Sequence, residues 1–208
     1  MAITQNPMTV RSPNGYSPYD LMSAMQKFIR RSMEKEALWC FYELEASNLY
    51  NIASNRLAVI VYEDCGIANL DLCNSIHGHI EQMNKWYKAG NGAWRLVLGN
   101  IILQACRGKK NRIADHFVCA VAAMRVNGYV VNLDDYESFV YDMHTQRGKK
   151  LGRGSEHFRD EASKIIESTE TEDYAQLEYD ELTKARAVTD NIFETAKRKA
   201  NSNQTKMF

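Results

Sequence analysis

Apolar positions recur at three- and four-residue spacing along most of the first 126 residues, the period of a helix with one buried face. After Ser17-Pro18-Tyr19-Asp20, the residues Leu21, Met22, Met25, Phe28 and Ile29 share one stripe. Ser17 is placed to cap that helix and Pro18 to fill its first position, where a missing N–H does no harm. The same spacing predicts helices over about 34–47 (Ala37, Leu38, Phe41, Leu44, with Trp39) and about 49–63 (Ile52, Leu57, Val59, Ile60, Val61). Further helices are predicted over about 69–89, 93–107 and 111–126, with breaks at Gly66, Asn91-Gly92, Gly108 and Asn127-Gly128. Short links between helices of this length predict an all-α fold, an antiparallel helical bundle. All three prolines precede residue 19, which a turn-rich β protein would rarely manage.

The texture changes after Gly128. Tyr129-Val130-Val131-Asn132-Leu133 reads as a short strand or an extended connector. RGKKLGRG over 147–154 reads as a basic loop, residues 160–181 are acidic, and a charged helix is predicted over about 173–199 ahead of a polar tail. The expected partition is a flexible arm (1–15), a helical domain (16–127), a basic loop with its extension (128–168), and a charged helix with the tail (169–208).

A chain of 208 residues can bury one sizeable core. No run of ~18 apolar residues is present to span a membrane, and the N-terminus has no apolar signal region. The five cysteines (40, 65, 73, 106, 119) lie on apolar faces without CxxC spacing and read as reduced thiols of a cytoplasmic protein. Basic and acidic residues balance, 26 against 26, which excludes a wholly basic nucleic-acid coat but not a local basic stripe.

Catalytic motifs are missing. Neither Gly-Lys pair has the upstream glycine or the following Ser or Thr of a phosphate-binding P-loop, and no GxSxG elbow or HExxH pair occurs. Cys73-x3-His77-x-His79 puts Cys73 and His77 on one helical face but His79 off it, so helix-surface histidines are expected rather than a metal site. Asp134, Asp135, Glu137, Asp142 and His144 form a set that could hold a hard cation for phosphodiester cleavage. Their blander reading is as caps and dipole partners at helix starts. Neither cofactor nor metal is expected.

The densest basic patch is Arg147, Lys149, Lys150, Arg153 and Arg159, with glycines at 148, 152 and 154 that would let backbone amides approach a phosphate. Smaller clusters stand at Lys27-Arg30-Arg31 and Arg107-Lys109-Lys110-Arg112. Arg147, Lys149, Lys150, Arg153, Arg107, Lys109 and Lys110 are the candidate DNA-binding residues. Solvated loops balancing the acidic segment are the alternative.

Tyr19-Asp20-Leu21-Met22-Ser23-Ala24, with Lys27 and Arg30, resembles the YDxxSAxxKxxR opening of the C-terminal region of the MgsA/RarA family, AAA+ ATPases related to clamp loaders. The likeness runs on through Ala37-Leu38 and Arg56-Leu57 to Glu63-Asp64-Cys65-Gly66-Ile67-Ala68, close to the family's SEDIGLA. Lys109-Lys110-Asn111 falls where the family has a KSN-like element opening the next helix. The resemblance covers roughly residues 16–126. It implies a collar-like helical fold through which family members form tetramers, together with DNA and replisome association. Departures are Arg31 for a usual glycine, Cys65 for an isoleucine, and the lack of the ATPase half, so that a stand-alone, phage-encoded piece without motor activity is expected.

Charges within the apolar helices (Asp20, Lys27, Arg30, Glu63, Asp64) are expected to pair across the bundle and set its register. The function expected is a non-catalytic DNA replication or repair accessory, a homotetramer contacting DNA and replication proteins in a bacterial or phage-infected cell. The alternatives are a helical inhibitor mimicking a host collar without DNA contact, and a metal-dependent nuclease built on Asp134, Asp135, Asp142 and His144. The terminal Gln204-Thr205-Lys206-Met207-Phe208 resembles the short motif by which bacterial proteins bind the sliding clamp. Gln204 would hydrogen-bond at the pocket rim, and Met207 and Phe208 would fill it.

Overall fold

The computed structural model describes residues 10–167 and 172–187. It is all-helical, with no strand among the described residues. The chain divides into two compact units between Val118 and Cys119, ahead of the boundary expected after residue 127.

In the first unit, α1 (Pro18–Arg30) and α2 (Glu34–Ala46) form a hairpin, as do α4 (Leu70–Lys88) and α5 (Trp94–Arg107). α3 (Tyr50–Ile60) packs on α1, α2 and α4, and α5 also packs on α1 and α2. Ser17 accepts from the Asp20 amide and Pro18 stands at the helix start, as expected. α1 and α2 close on residues in the left-handed region, Ser32 (φ 59°) and Asn48 (φ 61°). In each, the next amide reaches back five residues: Met33 to the Phe28 carbonyl and Leu49 to that of Leu44, both 2.9 Å.

The core is continuous. Leu21, Met25 and Ile29 of α1 meet Phe41 and Leu44 of α2, Leu57 and Ile60 of α3, Leu72, Ile76 and Met83 of α4, and Leu98, Ile101 and Ile102 of α5. Burying such a side chain stabilises by about 1.5–3 kcal/mol, so this contiguous set is what selects the bundle. At one end Tyr50 stacks on Tyr87 and both meet Trp94 edge-on.

The arm is tighter than its Pro, Asn, Ser and Gly content suggests. The Gly15 amide donates to the Ser12 carbonyl at 2.8 Å, and Ser12 is buried. Asn14 donates through its side chain (2.7 Å) and its amide (3.3 Å) to Glu43 of α2. The last residues of the expected flexible arm are therefore pinned to α2, while residues 1–9 lie outside the described residues.

The long third helix predicted to residue 63 ends earlier. α3 gives way at Val61–Cys65 to a wider π turn, followed by a 3-10 turn, Gly66–Ala68. The reversal depends on Gly66, whose φ of 47° and ψ of −138° suit a residue without a Cβ.

In the second unit, α6 (Ile113–Val126), which begins in the first, ends at Gly128. Residues 129–132 form a connector rather than a strand. Short helical turns follow at Leu133–Tyr136, Glu137–Val140, Gln146–Lys150 and Ser155–His157, the last running into a π turn, Phe158–Ala162. Residues 174–187 are helical, while the rest of the charged helix predicted to about 199 lies outside the described residues. Within this unit the buried apolar side chains among the described residues are Ala120 and Ala123, so polar contacts hold the short turns together. No helix among the described residues is long and apolar enough to cross a membrane.

Candidate functional site

Two clusters carry the charged residues singled out above. The first lies where the π turn meets α1. Asp64, 1 % exposed, accepts from Arg30 Nε at 2.7 Å and from Gln26 Nε2 at 2.9 Å. Glu63 accepts from Arg30 Nη2 at 2.8 Å. Arg112, just ahead of α6, reaches Glu63 (3.4 Å) and Asp64 (3.6 Å) and also bonds Asp115. Arg56 of α3 completes the chain by donating to Gln26 Oε1. Two arginines, Arg30 and Arg112, thus meet three carboxylates, and Arg56 joins them through the Gln26 amide.

The register role expected for Arg30, Glu63 and Asp64 has this geometry, whereas Asp20 and Lys27 do not take part. Both are exposed on α1, and Lys27 bonds Ser23 of its own helix at 2.7 Å. Gln26, Arg56 as a bridge, and Arg112 with Asp115 join the cluster without a signal in the charge pattern alone. Gln26 is polar on the buried stripe between Met25 and Ile29, which is the signal that could have revealed it.

Lys110 and Asn111 act beside this centre. The Lys110 ammonium bonds the Cys106 carbonyl at 2.5 Å and Ser32 Oγ at 3.1 Å, satisfying the carbonyl end of α5 and joining it to the α1–α2 turn. Asn111 packs against Gly66. Arg107 forms a two-pronged pair with Glu34, at 2.6 and 3.0 Å. Lys109 is exposed.

The second cluster organises the basic stretch, which is a helical turn rather than an open loop. Thr145 caps Gln146–Lys150, and Gly148 is buried against the Asp142 carbonyl, where any Cβ would overlap the backbone. This glycine therefore serves packing. Arg147 pairs with Asp134 at 2.5 Å and lies over the Tyr141 ring, 4.4 Å from its centroid. Arg153 donates to the carbonyls of Glu137 and Tyr141. Lys149 and Lys150 project into solvent. The seven candidate DNA-binding cations thus divide: Arg107, Lys110, Arg147 and Arg153 have internal partners, while Lys109, Lys149 and Lys150 are exposed.

The acidic set proposed for a cation is spent differently. Asp134 accepts from Tyr141 Oη (2.9 Å) and Arg147, and these two hydrogen bonds hold its carboxyl below the usual range. Asp142 contacts the His144 ring at 2.7 Å and accepts from the His144 amide at 3.0 Å, which lowers it likewise. Among the described residues no group of three His, Cys, Asp or Glu is placed to hold a metal. Cys73 Sγ donates towards the Gly66 carbonyl (3.3 Å), and His77 sits exposed against Tyr62. Burial pushes the thiols of Cys40, Cys65 and Cys106 up to about 11, so they remain protonated at neutral pH. Gln204, Met207 and Phe208 lie outside the described residues.

The fold and these clusters define a helical bundle with a partly buried ionic centre around Asp64, and an extension held by polar contacts. No family model matches the sequence. The chain is similar to Replication-associated recombination protein A of Bacillus subtilis (strain 168), 30 % identical over 145 residues. That stretch is 69 % of this chain and 33 % of the relative, so the chain spans about a third of the curated protein it matches. The similarity supports a family relationship with the replication-associated recombination proteins.

Proposed function

We propose that the chain is a non-catalytic accessory of DNA replication and repair, an oligomeric helical module that contacts DNA and replication proteins in the bacterial cytoplasm. The observation that carries this reading is the 30 % identity to a replication-associated recombination protein. The residues of the family-like motifs also meet in space, Arg30 of the first on Glu63 and Asp64 of the second.

Assembly into a tetramer rests on the likeness of the helical domain to the family's collar, and the apolar surface of the second unit favours a protein partner as well. Val130, Leu133, Tyr136 and Phe139 are half or more exposed, or nearly so, beside almost no buried apolar side chain of that unit. Of the seven candidate cations, Lys109, Lys149 and Lys150 are the exposed ones that would meet phosphate, with Arg147 and Arg153 shaping the turn that presents two of them. Gln204, Met207 and Phe208 would bind the sliding clamp. A triple alanine variant of these three should lose clamp binding that the intact chain shows.

The test of the DNA reading is titration of labelled DNA at several salt concentrations. Phosphate-driven binding must weaken steeply as salt rises. Absence of binding at low salt rejects it. One observation favours a second reading, a helical interaction protein without DNA contact: four of the seven candidate cations already satisfy acceptors of the chain itself.

A further inference from the structure

The α1–α2 hairpin carries an open pocket of about 430 Å³, lined by Phe28 of α1 and by Lys35, Glu36 and Trp39 of α2. Trp39 is 42 % exposed, and it lies off the buried stripe of Ala37, Cys40, Phe41 and Leu44. Core packing therefore does not account for an indole here. Tyr16 meets Trp39 edge-on, with centroids 5.8 Å apart, and the arm that carries Tyr16 is fixed through Asn14 and Glu43. The aromatic wall is thus preorganised.

The rim is charged: Lys35 and Glu36 belong to the lining, and Arg31 stands in the turn just beyond Phe28. Lys35 lines the pocket one helical turn ahead of Trp39, and Arg31, three residues after Phe28, is exposed with its guanidinium donating to the Lys27 carbonyl at 3.2 Å. Glu36 is the single carboxylate of the lining. Glu34, the nearest other carboxylate in sequence, is neutralised by Arg107. An aromatic wall about one ring wide with positive charge at its edge matches a flat base attached to phosphates better than it matches an extended apolar peptide.

We propose that this pocket stacks an unpaired base of single-stranded DNA on Trp39, with Arg31 and Lys35 beside the flanking phosphates. The proposal rests on the DNA reading above and adds a preference for unpaired strands. A duplex keeps its bases stacked on one another and offers the pocket only its backbone.

The full chain, its Trp39→Leu variant and its Trp39→Phe variant would be titrated with a labelled oligothymidylate and with a duplex of equal length. Leucine keeps an apolar side chain on the helix but cannot stack, so folding is preserved, which circular dichroism checks. The expected result is a loss of roughly tenfold or more in single-strand affinity for Trp39→Leu. Near wild-type affinity is expected for Trp39→Phe, with duplex affinity unchanged in both. Binding should also quench tryptophan emission in the wild type and not in Trp39→Phe, because Trp94 is only 3 % exposed and Trp86 partly buried. Equal single-strand affinity of wild type and Trp39→Leu overturns the stacking site while leaving DNA contact standing. If neither strand form binds the wild type, both readings fall. If Trp39→Leu alters self-association by light scattering and not DNA affinity, the pocket holds a protein side chain and the proposal is wrong.

Discussion

Replacing Arg30 with methionine removes the residue that joins the two family-like motifs. Asp64 would remain 1 % exposed, with Gln26 Nε2 at 2.9 Å and Arg112 Nε at 3.6 Å as its neighbours. Breaking a buried ion pair from one side costs about 3–5 kcal/mol, because the surviving charge stays desolvated. Arg30 is itself 25 % exposed and Arg112 offers partial compensation, so the lower end, about 3 kcal/mol, is expected. For a helical unit of this size that is a fall in Tm of roughly 10 °C or more. Urea denaturation of Arg30→Met, Asp64→Leu and the double variant forms a cycle in which the two substitutions should be strongly non-additive, by about 1–3 kcal/mol. The double variant should recover much of the loss, since no buried charge is then stranded. A single variant within about 0.5 kcal/mol of wild type, or strict additivity, would refute a register-setting ionic centre.

Three further outcomes follow from named contacts. Gly66→Ala forces a Cβ onto a φ of 47° and ψ of −138° and should destabilise by about 1–3 kcal/mol in the same urea assay, although the space around it is only ordinary contact. Glu43 is held below the usual carboxylate range by hydrogen bonds from Ser12 and then Asn14, so its contribution is present above that range and is lost as pH falls through its folded value. Acidification should therefore release the arm, read as a change in Trp39 emission that a Glu43→Ala variant shows already at neutral pH. The thiols of Cys40, Cys65 and Cys106 are raised to about 11, so their contribution is complete below the ordinary thiol range and falls away from about pH 9 to 11. The same three should resist a thiol reagent at pH 8 until the chain is unfolded.

Helix period made the bundle legible. Apolar spacing and breaks placed α1, α2, α4 and α5 within a residue or two of where they lie, because each has one face that must be buried. The end of α3 was hidden. Nothing in the period of Ile60-Val61 announces a π turn, and the contacts that Asp64 makes from it, with Arg30, Gln26 and Arg112, are to residues distant in sequence. The helical turn within the basic stretch is hidden for a similar reason. Glycine spacing alone suggests access for a ligand, yet Gly148 packs against the Asp142 carbonyl, and the acceptors that engage Arg147 and Arg153 lie 12 to 16 residues earlier. Charge density along a chain shows how many cations exist. Which of them remain available depends on tertiary acceptors, and among the seven candidates those leave Lys109, Lys149 and Lys150.

The most direct measurement is therefore the salt dependence of DNA affinity for the intact chain and for Lys109→Ala/Lys149→Ala/Lys150→Ala. The intact chain should bind, and its log affinity should fall linearly with log salt. The triple variant should bind more weakly to all sequences alike, with the slope reduced by about 1 for each lysine that meets a phosphate. Identical slopes and affinities for the two proteins, or no binding by the intact chain at low salt, would contradict the account.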